Sequence, residues 1–324
     1  MRSQGLQFTE FGKPQEVLKF TEFEVDSLSG GEVLVKMLAA PINPSDLGTI
    51  GGSYGVLPEL PGIGGLEGVA EVLEVGDEVT KFRAGDIVKL PPKGTWATHL
   101  LCLEKDLEVV PDSLNVEQAA MAAINPLTAV LLLEKLQRQG DWFVQNAANS
   151  AVGIALIQLA RAQNITCINL VRREDLILPL KELGAEHVFL DNDESVAHIK
   201  ELSANYGKPS HAFNSVGGES AYRMAKSLRN GGQHITFGGM TGEQVRFPTR
   251  YLIFNDIQFS GFWVTRWKKE VAPETFDHYQ QGIYQHIKDE TLQLPVEQTY
   301  QLSDFQDALA HNARPRLGKI LFVT

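Results

Sequence analysis

The chain has 324 residues, 43% of them hydrophobic and 21% charged, which is ordinary globular usage and excludes a disordered or fibrous protein. At roughly 100–200 residues per domain, this length suggests about two domains. Lys plus Arg number 29 against 40 Asp plus Glu, a net charge of −11, so neither nucleic acid nor an anionic membrane is an expected partner. Two cysteines, Cys102 and Cys167, cannot build a disulfide framework or a multi-cysteine zinc site. No apolar run reaches the roughly 18 residues of a membrane helix. The N-terminus has no basic start followed by an apolar core. Glu10, Glu16, Glu22 and Glu24 argue against an Arg-rich transit peptide. The default expectation is a cytoplasmic location, or an organelle lumen after processing.

Residues 1 to about 112 are rich in Gly, Pro and Val and carry short β-type runs. Glu32–Met37, Val69–Val75 and Asp86–Leu90 are separated by turn signals at Gly76-Asp77 and Gly85. Many short strands at this spacing predict a small barrel or sandwich. The texture changes near Asp112. Asn115 to Lys135 has apolar residues at helical spacing and an Ala-rich stretch, which predicts helix. To about residue 263, strands then alternate with helices. The predicted strands are Trp142–Asn146, Thr166–Val171, His187–Leu190, His211–Val216, His234–Gly238 and Ile257–Phe262. The intervening helices are Ala151–Gln163, Leu176–Leu183, Ser195–Tyr206 and Ser220–Leu228. This rhythm is the α/β class, a doubly wound parallel sheet. From about residue 275 a helix and a final strand, Lys319–Thr324, return to the first domain. The expected division is therefore 1–112 with 270–324, around a Rossmann insert at 113–269.

The first strand of the insert runs into Ala147-Ala148-Asn149-Ser150-Ala151-Val152-Gly153 and then a helix. This is the place of a dinucleotide phosphate loop, where small residues let the backbone approach a pyrophosphate and the helix start offers free N–H groups. The glycine pattern is degenerate, and an Asn-Ser helix cap is the alternative. About 20 residues past Gly153, NAD enzymes place an acidic residue on the adenosine ribose. This chain has Arg172-Arg173 there, which suits a 2′-phosphate and favours NADPH. A solvated basic pair beside Glu174 and Asp175 is the other reading.

Residues 61–88 contain Pro61-Gly62-Ile63-Gly64-Gly65-Leu66-Glu67-Gly68, Val75-Gly76-Asp77 and Ala84-Gly85-Asp86-Ile87-Val88. Together they resemble the hallmark of the medium-chain dehydrogenase/reductase superfamily, and the likeness spans essentially the whole chain. It implies a GroES-like catalytic domain plus a Rossmann cofactor domain. Zinc members carry a Cys and a His where this chain has Asn43 and Leu66, so a zinc-free enzyme is expected, with no metal ligands. Three further segments narrow the resemblance: Pro41–Asp46 with Gly52-Ser53-Tyr54-Gly55 and Leu57–Pro61, then Val144–Ser150, then Gly261-Phe262-Trp263 with Trp267-Lys268-Lys269. They look like the mitochondrial-type trans-2-enoyl thioester reductases, which act on enoyl-CoA or enoyl-acyl carrier protein. Ala151 departs from that family, which usually has Gly there.

The resemblance implies these roles. Tyr54 matches the catalytic tyrosine, and Trp263 the tryptophan that lines the nicotinamide and substrate cleft. Asn125 matches a cofactor-contacting Asn. Asn149, Ser150, Ala151, Val152 and Gly153 match the pyrophosphate loop, and Arg172 with Arg173 the 2′-phosphate site. Phe237, Gly238, Gly239 and Met240, then Phe262 and Val264, match segments beside the nicotinamide. Lys319 matches a cofactor-contacting Lys. A metal-free reduction needs a proton donor at neutral pH, and a tyrosine hydroxyl, with an ordinary pKa near 10, qualifies. Arg266, Lys268 and Lys269 are either a solvated face or a meeting place for CoA phosphates or an acidic carrier protein. A homodimer is expected by resemblance. A quinone or enone reductase of the same branch and a non-catalytic NADPH-binding module are the alternatives.

Overall fold

The computed structural model describes residues 1–136 and 138–324. The chain divides into two compact units, Met1–Ile124 with Gln293–Thr324, and Asn125–Leu292.

The first unit is built around the strand Glu32–Pro41. Its odd-numbered residues Val33, Val35, Met37 and Ala39 are fully buried, while the residues between them are partly exposed as far as Leu38. This period of two fits a strand with one face on the core. Val69–Val75 pairs with it antiparallel on one side. On the other side it meets His99–Leu103 and then, at Ala39–Pro41, Lys319–Val323. The last strand of the chain thereby closes the first domain's sheet. Ile87–Lys89, Glu108–Val109 and Val296–Gln301 complete a seven-stranded sheet, and Lys19–Glu24, Arg2–Phe8 and Gly62–Ile63 form a second sheet of three. The core between them holds Leu6, Phe8, Met37 and Trp96, whose ring meets Phe322 edge-on at 5.1 Å.

The second unit holds a six-stranded, all-parallel sheet. Its order is His187–Leu190, Cys167–Val171, Phe143–Gln145, His211–Asn214, Gln233–Thr236, Gln258–Gly261. In chain order this reads 3-2-1-4-5-6, the doubly wound arrangement. The central strands are buried along their whole length, as helix-covered parallel strands must be. The winding reverses between Phe143–Gln145 and His211–Asn214. A crevice for a ligand lies at the carboxyl ends of strands at such a point.

Three expectations need correction. The units divide at Ile124 and Leu292 rather than near 112 and 269. The helix Val116–Ala120 packs on Glu32–Pro41, and the helix Pro273–Lys288 packs on Asn125–Leu133. The helix expected over Asn115–Lys135 is two helices, Val116–Ala120 and Asn125–Leu133. It breaks because the N–H groups of Ala123 and Ile124 donate to the Glu67 carboxylate, and Pro126 has no N–H to give. The strand Val296–Gln301 lacks clean apolar alternation and becomes visible only through its parallel pairing with Lys319–Val323.

Candidate active site

In the first unit, Asn43 sits between two buried charges. Its side-chain N–H donates to Glu67 Oε2 at 2.9 Å, and its side-chain oxygen accepts from the Lys319 ammonium. Lys319 also donates to the carbonyl of Ile42 at 2.9 Å. Glu67 Oε1 accepts from the backbone of Ala123 at 2.8 Å and Ile124 at 2.7 Å. Asp46 accepts from the Asn43 backbone N–H at 2.6 Å. Asn43, Asp46, Glu67 and Lys319 are all buried. Burial pushes the Asp46 carboxyl up to about 7, against the pull of the Asn43 N–H and Lys319. Burial also draws the Lys319 ammonium down to about 8, against Glu67 and Asp46. Asn43 thus links the Glu67 side chain to the Lys319 side chain inside the buried cluster.

This cluster anchors the start of the helix Pro44–Ile50, and Tyr54 hangs from its other end. The Gly48 carbonyl accepts from the backbone N–H of Ser53 at 2.9 Å and of Tyr54 at 3.2 Å. Gly52 makes the turn possible: its φ is +73°, and a Cβ there would press on Phe11. The Tyr54 side chain is half-buried, and the following loop leaves Val56, Leu57 and Leu60 exposed. Asn43 and Leu66 occupy the two positions that would carry zinc ligands by resemblance. Among the described residues, no group of three or more His, Cys, Asp or Glu is placed to hold a metal ion.

In the second unit, the carboxyl edge of the parallel sheet carries most of the expected cofactor residues. The chain leaves Phe143–Gln145, turns through Ala147 at φ +46°, and enters the helix Ala151–Ala162. Ser150 caps this helix by accepting from the Gly153 N–H at 3.1 Å. The N–H groups of Ala151 and Val152, in the first turn, have no acceptor within the helix. A Cβ on Gly153 would stand 2.5 Å from the Ala148 carbonyl oxygen, so only glycine lets the loop lie this close to the helix. Arg172 and Arg173 follow the strand Cys167–Val171 directly. Arg173 pairs weakly with Asp175 at 3.4 Å, whereas Arg172 is exposed and has no carboxylate partner among the described residues.

Phe237–Met240 follows Gln233–Thr236 and is tied to the neighbouring loop: Phe237 N–H donates to Asn214 and Met240 N–H to Ser215, each at 2.9 Å. A side chain at Gly239 would point into open space. Phe262 N–H donates to Thr236 at 2.9 Å, and Trp263, half-buried, precedes the helix Val264–Glu270. Val264 is buried. Asn125, also buried, begins the helix that packs beside Ala151–Ala162.

The fold thus gathers Asn149–Gly153, Arg172–Arg173, Phe237–Met240 and Phe262–Val264 along one edge of one sheet. These residues fit a 2′-phosphorylated dinucleotide. The helix start and close backbone suit a pyrophosphate, and an uncommitted guanidinium suits the extra phosphate. Tyr54 and Lys319 belong to the first unit, on the Asn43 cluster, where the Lys319 ammonium is engaged by Ile42 and Asn43. Sequence reasoning missed Asn43, Asp46 and Glu67 as a charge cluster, because their partner lies 276 residues from Asn43. It also missed Asn146 and Asn214. The available signal was an asparagine at the carboxyl end of each of two apolar, buried strands, Asn214 as the last residue of one and Asn146 just past the other.

Comparisons with known proteins point to the same fold and to a family. Residues 29–112 match the family model described as an alcohol dehydrogenase GroES-like domain, and residues 151–281 match the one described as a zinc-binding dehydrogenase. The chain is 40% identical to the mitochondrial enoyl-[acyl-carrier-protein] reductase of Xenopus tropicalis, over 98% of this chain and 94% of that one. Among solved structures it resembles the mitochondrial 2-enoyl thioester reductase Etr1p/Etr2p heterodimer of Candida tropicalis, with 32% identity, a TM-score of 0.90 and full coverage of both chains. It resembles the Etr1p/NADP/crotonyl-CoA complex equally, with 32% identity, a TM-score of 0.91 and full coverage of both.

These relatives are named as mitochondrial proteins, which overturns the expectation of a cytoplasmic location. That expectation rested on the first residues of the chain. They are a poor guide to compartment, because targeting peptides are removed from mature proteins. By its matching domains and its full-length identity to these reductases, the chain belongs to the mitochondrial-type enoyl thioester reductase family of the medium-chain dehydrogenase/reductase superfamily.

Proposed function

We propose that this protein reduces trans-2-enoyl thioesters to saturated acyl thioesters with NADPH. The observation that carries the proposal is full-length similarity to enoyl reductases, one of them solved with NADP and crotonyl-CoA, in a chain that retains Arg172 uncommitted at the 2′-phosphate position. NADPH, when bound, supplies the hydride that reaches Cβ of the enoyl group. The protein's own groups bind, orient and deliver a proton. The first-turn N–H groups of Ala151 and Val152, with Asn149, Ser150 and Gly153, hold the pyrophosphate. Arg172 and Arg173 hold the 2′-phosphate. Asn125 adds a polar contact to the cofactor, while Lys319, buried and held by Ile42 and Asn43, stays with the Asn43 cluster. Phe237–Met240, Phe262 and Val264 flank the nicotinamide half, and Trp263 gives the reacting carbons an apolar wall. The Tyr54 hydroxyl is the donor at this step: it would hydrogen-bond the thioester oxygen as charge develops, or give its own proton to Cα and take one back from solvent, to complete the saturated product.

The substrate is carried on CoA or on an acyl carrier protein, and the enzyme serves fatty-acid synthesis. Arg266, Lys268 and Lys269 lie on the helix Val264–Glu270 in an otherwise acidic chain, which suits an anionic carrier. The working form is a homodimer. The strand Gln258–Gly261 is an edge of the parallel sheet, and Leu252, Ile253 and Phe254 beside it in sequence are strongly exposed. The deciding experiment follows NADPH oxidation with crotonyl-CoA, a longer enoyl-CoA and a quinone in parallel. Turnover of the thioesters is expected. Oxidation by the quinone alone, or binding of NADPH with no oxidation, would overturn the proposal.

A further inference from the structure

We infer that Asn146 and Asn214 are positioning residues that set the nicotinamide half of the cofactor by holding the segment 237–241 in place; this rests on the NADPH reading above. The parallel register pairs Gln145 with Phe213, so the two asparagines stand side by side where the winding of the sheet reverses. Both side chains are fully buried. A buried amide is costly unless its hydrogen bonds are met, and here they are met in a directed way.

On one side the pair is anchored. Asn146 Nδ2 donates to Asn214 Oδ1 and to Ser220 Oγ, each at 2.8 Å. Ser220 Oγ donates to Asp191 Oδ2 at 2.5 Å, and Arg223 grips Asp191 Oδ1 through Nε at 3.1 Å and Nη2 at 2.8 Å. On the other side the pair gathers backbone donors. Asn146 Oδ1 accepts from Ser215 N–H at 2.8 Å. Asn214 Oδ1 accepts from Val216 at 3.2 Å and Gly217 at 3.1 Å. Asn214 Nδ2 also donates to Thr236 Oγ1 at 3.0 Å.

The loop fixed this way carries the next one. Asn214, Ser215 and Val216 offer their carbonyls to the N–H groups of Phe237, Met240 and Thr241, and the Thr241 hydroxyl donates to Val216 at 2.8 Å. The 237–241 segment makes three backbone hydrogen bonds to a loop that two side-chain amides hold. Among the described residues, none of these side-chain hydrogen bonds is made to Arg172 or to the Ser150 cap, and the nearest approach is the Asp191 N–H on the Val171 carbonyl at 2.7 Å. Loss of the pair should therefore disturb the nicotinamide half and spare the adenosine half.

The test compares two ligands on purified full-length protein by calorimetric titration: NADPH, and adenosine 2′,5′-bisphosphate, which has the 2′-phosphate but no nicotinamide. Asn214→Ala is expected to weaken NADPH roughly tenfold while leaving the bisphosphate within about twofold of wild type. Asn214→Asp keeps an acceptor for the loop and is expected to recover most of the loss. Ser220→Ala removes one anchor with little change in volume. It should show the same split at roughly threefold, and it serves if Asn214→Ala does not fold. Equal weakening of both ligands, which a general loss of structure would give, overturns the proposal, as does no change in either. If the wild type binds neither ligand, the NADPH reading fails first and this inference falls with it.

Discussion

By the resemblance, Asn43 takes the place of a metal ligand of the zinc-bearing members, and here it links the Lys319 ammonium to the Glu67 carboxyl group. Burying such groups costs several kcal/mol each unless hydrogen bonds and an opposite charge offset it. Asn43, two backbone N–H groups on Glu67 and one on Asp46 do this. The cluster holds the helix whose far end carries Tyr54. If Tyr54 is the donor to developing charge, Tyr54→Phe should lower kcat by about 10²–10³ with NADPH affinity unchanged. Near-normal kcat would remove Tyr54 from the chemistry. Arg172→Ala with Arg173→Ala should weaken NADPH far more than NADH in direct binding, and equal losses would refute the 2′-phosphate assignment. The expectation for the arginines came from their spacing past the phosphate loop, which is local information. The expectation for Tyr54 came only from family likeness, since a tyrosine in a glycine-rich loop has no chemistry written in its spacing. The asparagine pair was not legible, because register between strands 68 residues apart made it a pair.

At the scale of elements, the second unit follows its apolar periods closely, and His187–Leu190 matches its expected bounds. Strand ends were overrun where the residues after the ladder, such as Ser215 and Val216, serve a loop instead. The break at Met121–Ile124 has one local signal, Pro126, while the carboxylate that takes up its N–H groups comes from another segment. Within the strand Gln233–Thr236, His234 lies against Phe247 and Phe259 and donates through Nε2 to the Ala221 carbonyl at 3.2 Å. Burial draws this imidazole down to about 4. The unfolded chain, titrating near 6.5, therefore takes up a proton that the folded one refuses. Stability is full above pH 6.5 and is lost as pH falls toward 4. At pH 5 the loss from this group is about 2 kcal/mol. Urea unfolding at pH 7.5 and 5.0 should show His234→Leu losing that much less than wild type. Equal losses would mean that His234 is not the group involved.

For the molecule as a whole, the net charge of −11 opposes self-association, so a dimer needs an apolar or hydrogen-bonded seam. The second unit offers both. Gln258–Gly261 pairs only with Gln233–Thr236 among the described residues, leaving its other edge available for strand pairing. Immediately before it, Leu252, Ile253 and Phe254 are 51%, 66% and 76% exposed, a run that a monomer would keep in water at a cost. In the proposed homodimer, a second copy brought up about a two-fold axis would pair the same edge with itself and cover the same run, as an isologous interface requires. Ile253→Glu with Phe254→Glu places four like charges across that axis. Sedimentation at tens of micromolar protein should give a dimer for the wild type and a folded monomer for the variant, with NADPH binding kept because the phosphate loop is untouched. A wild type that sediments as a monomer, or a variant that still dimerises, would place the contact elsewhere on the molecule or remove it.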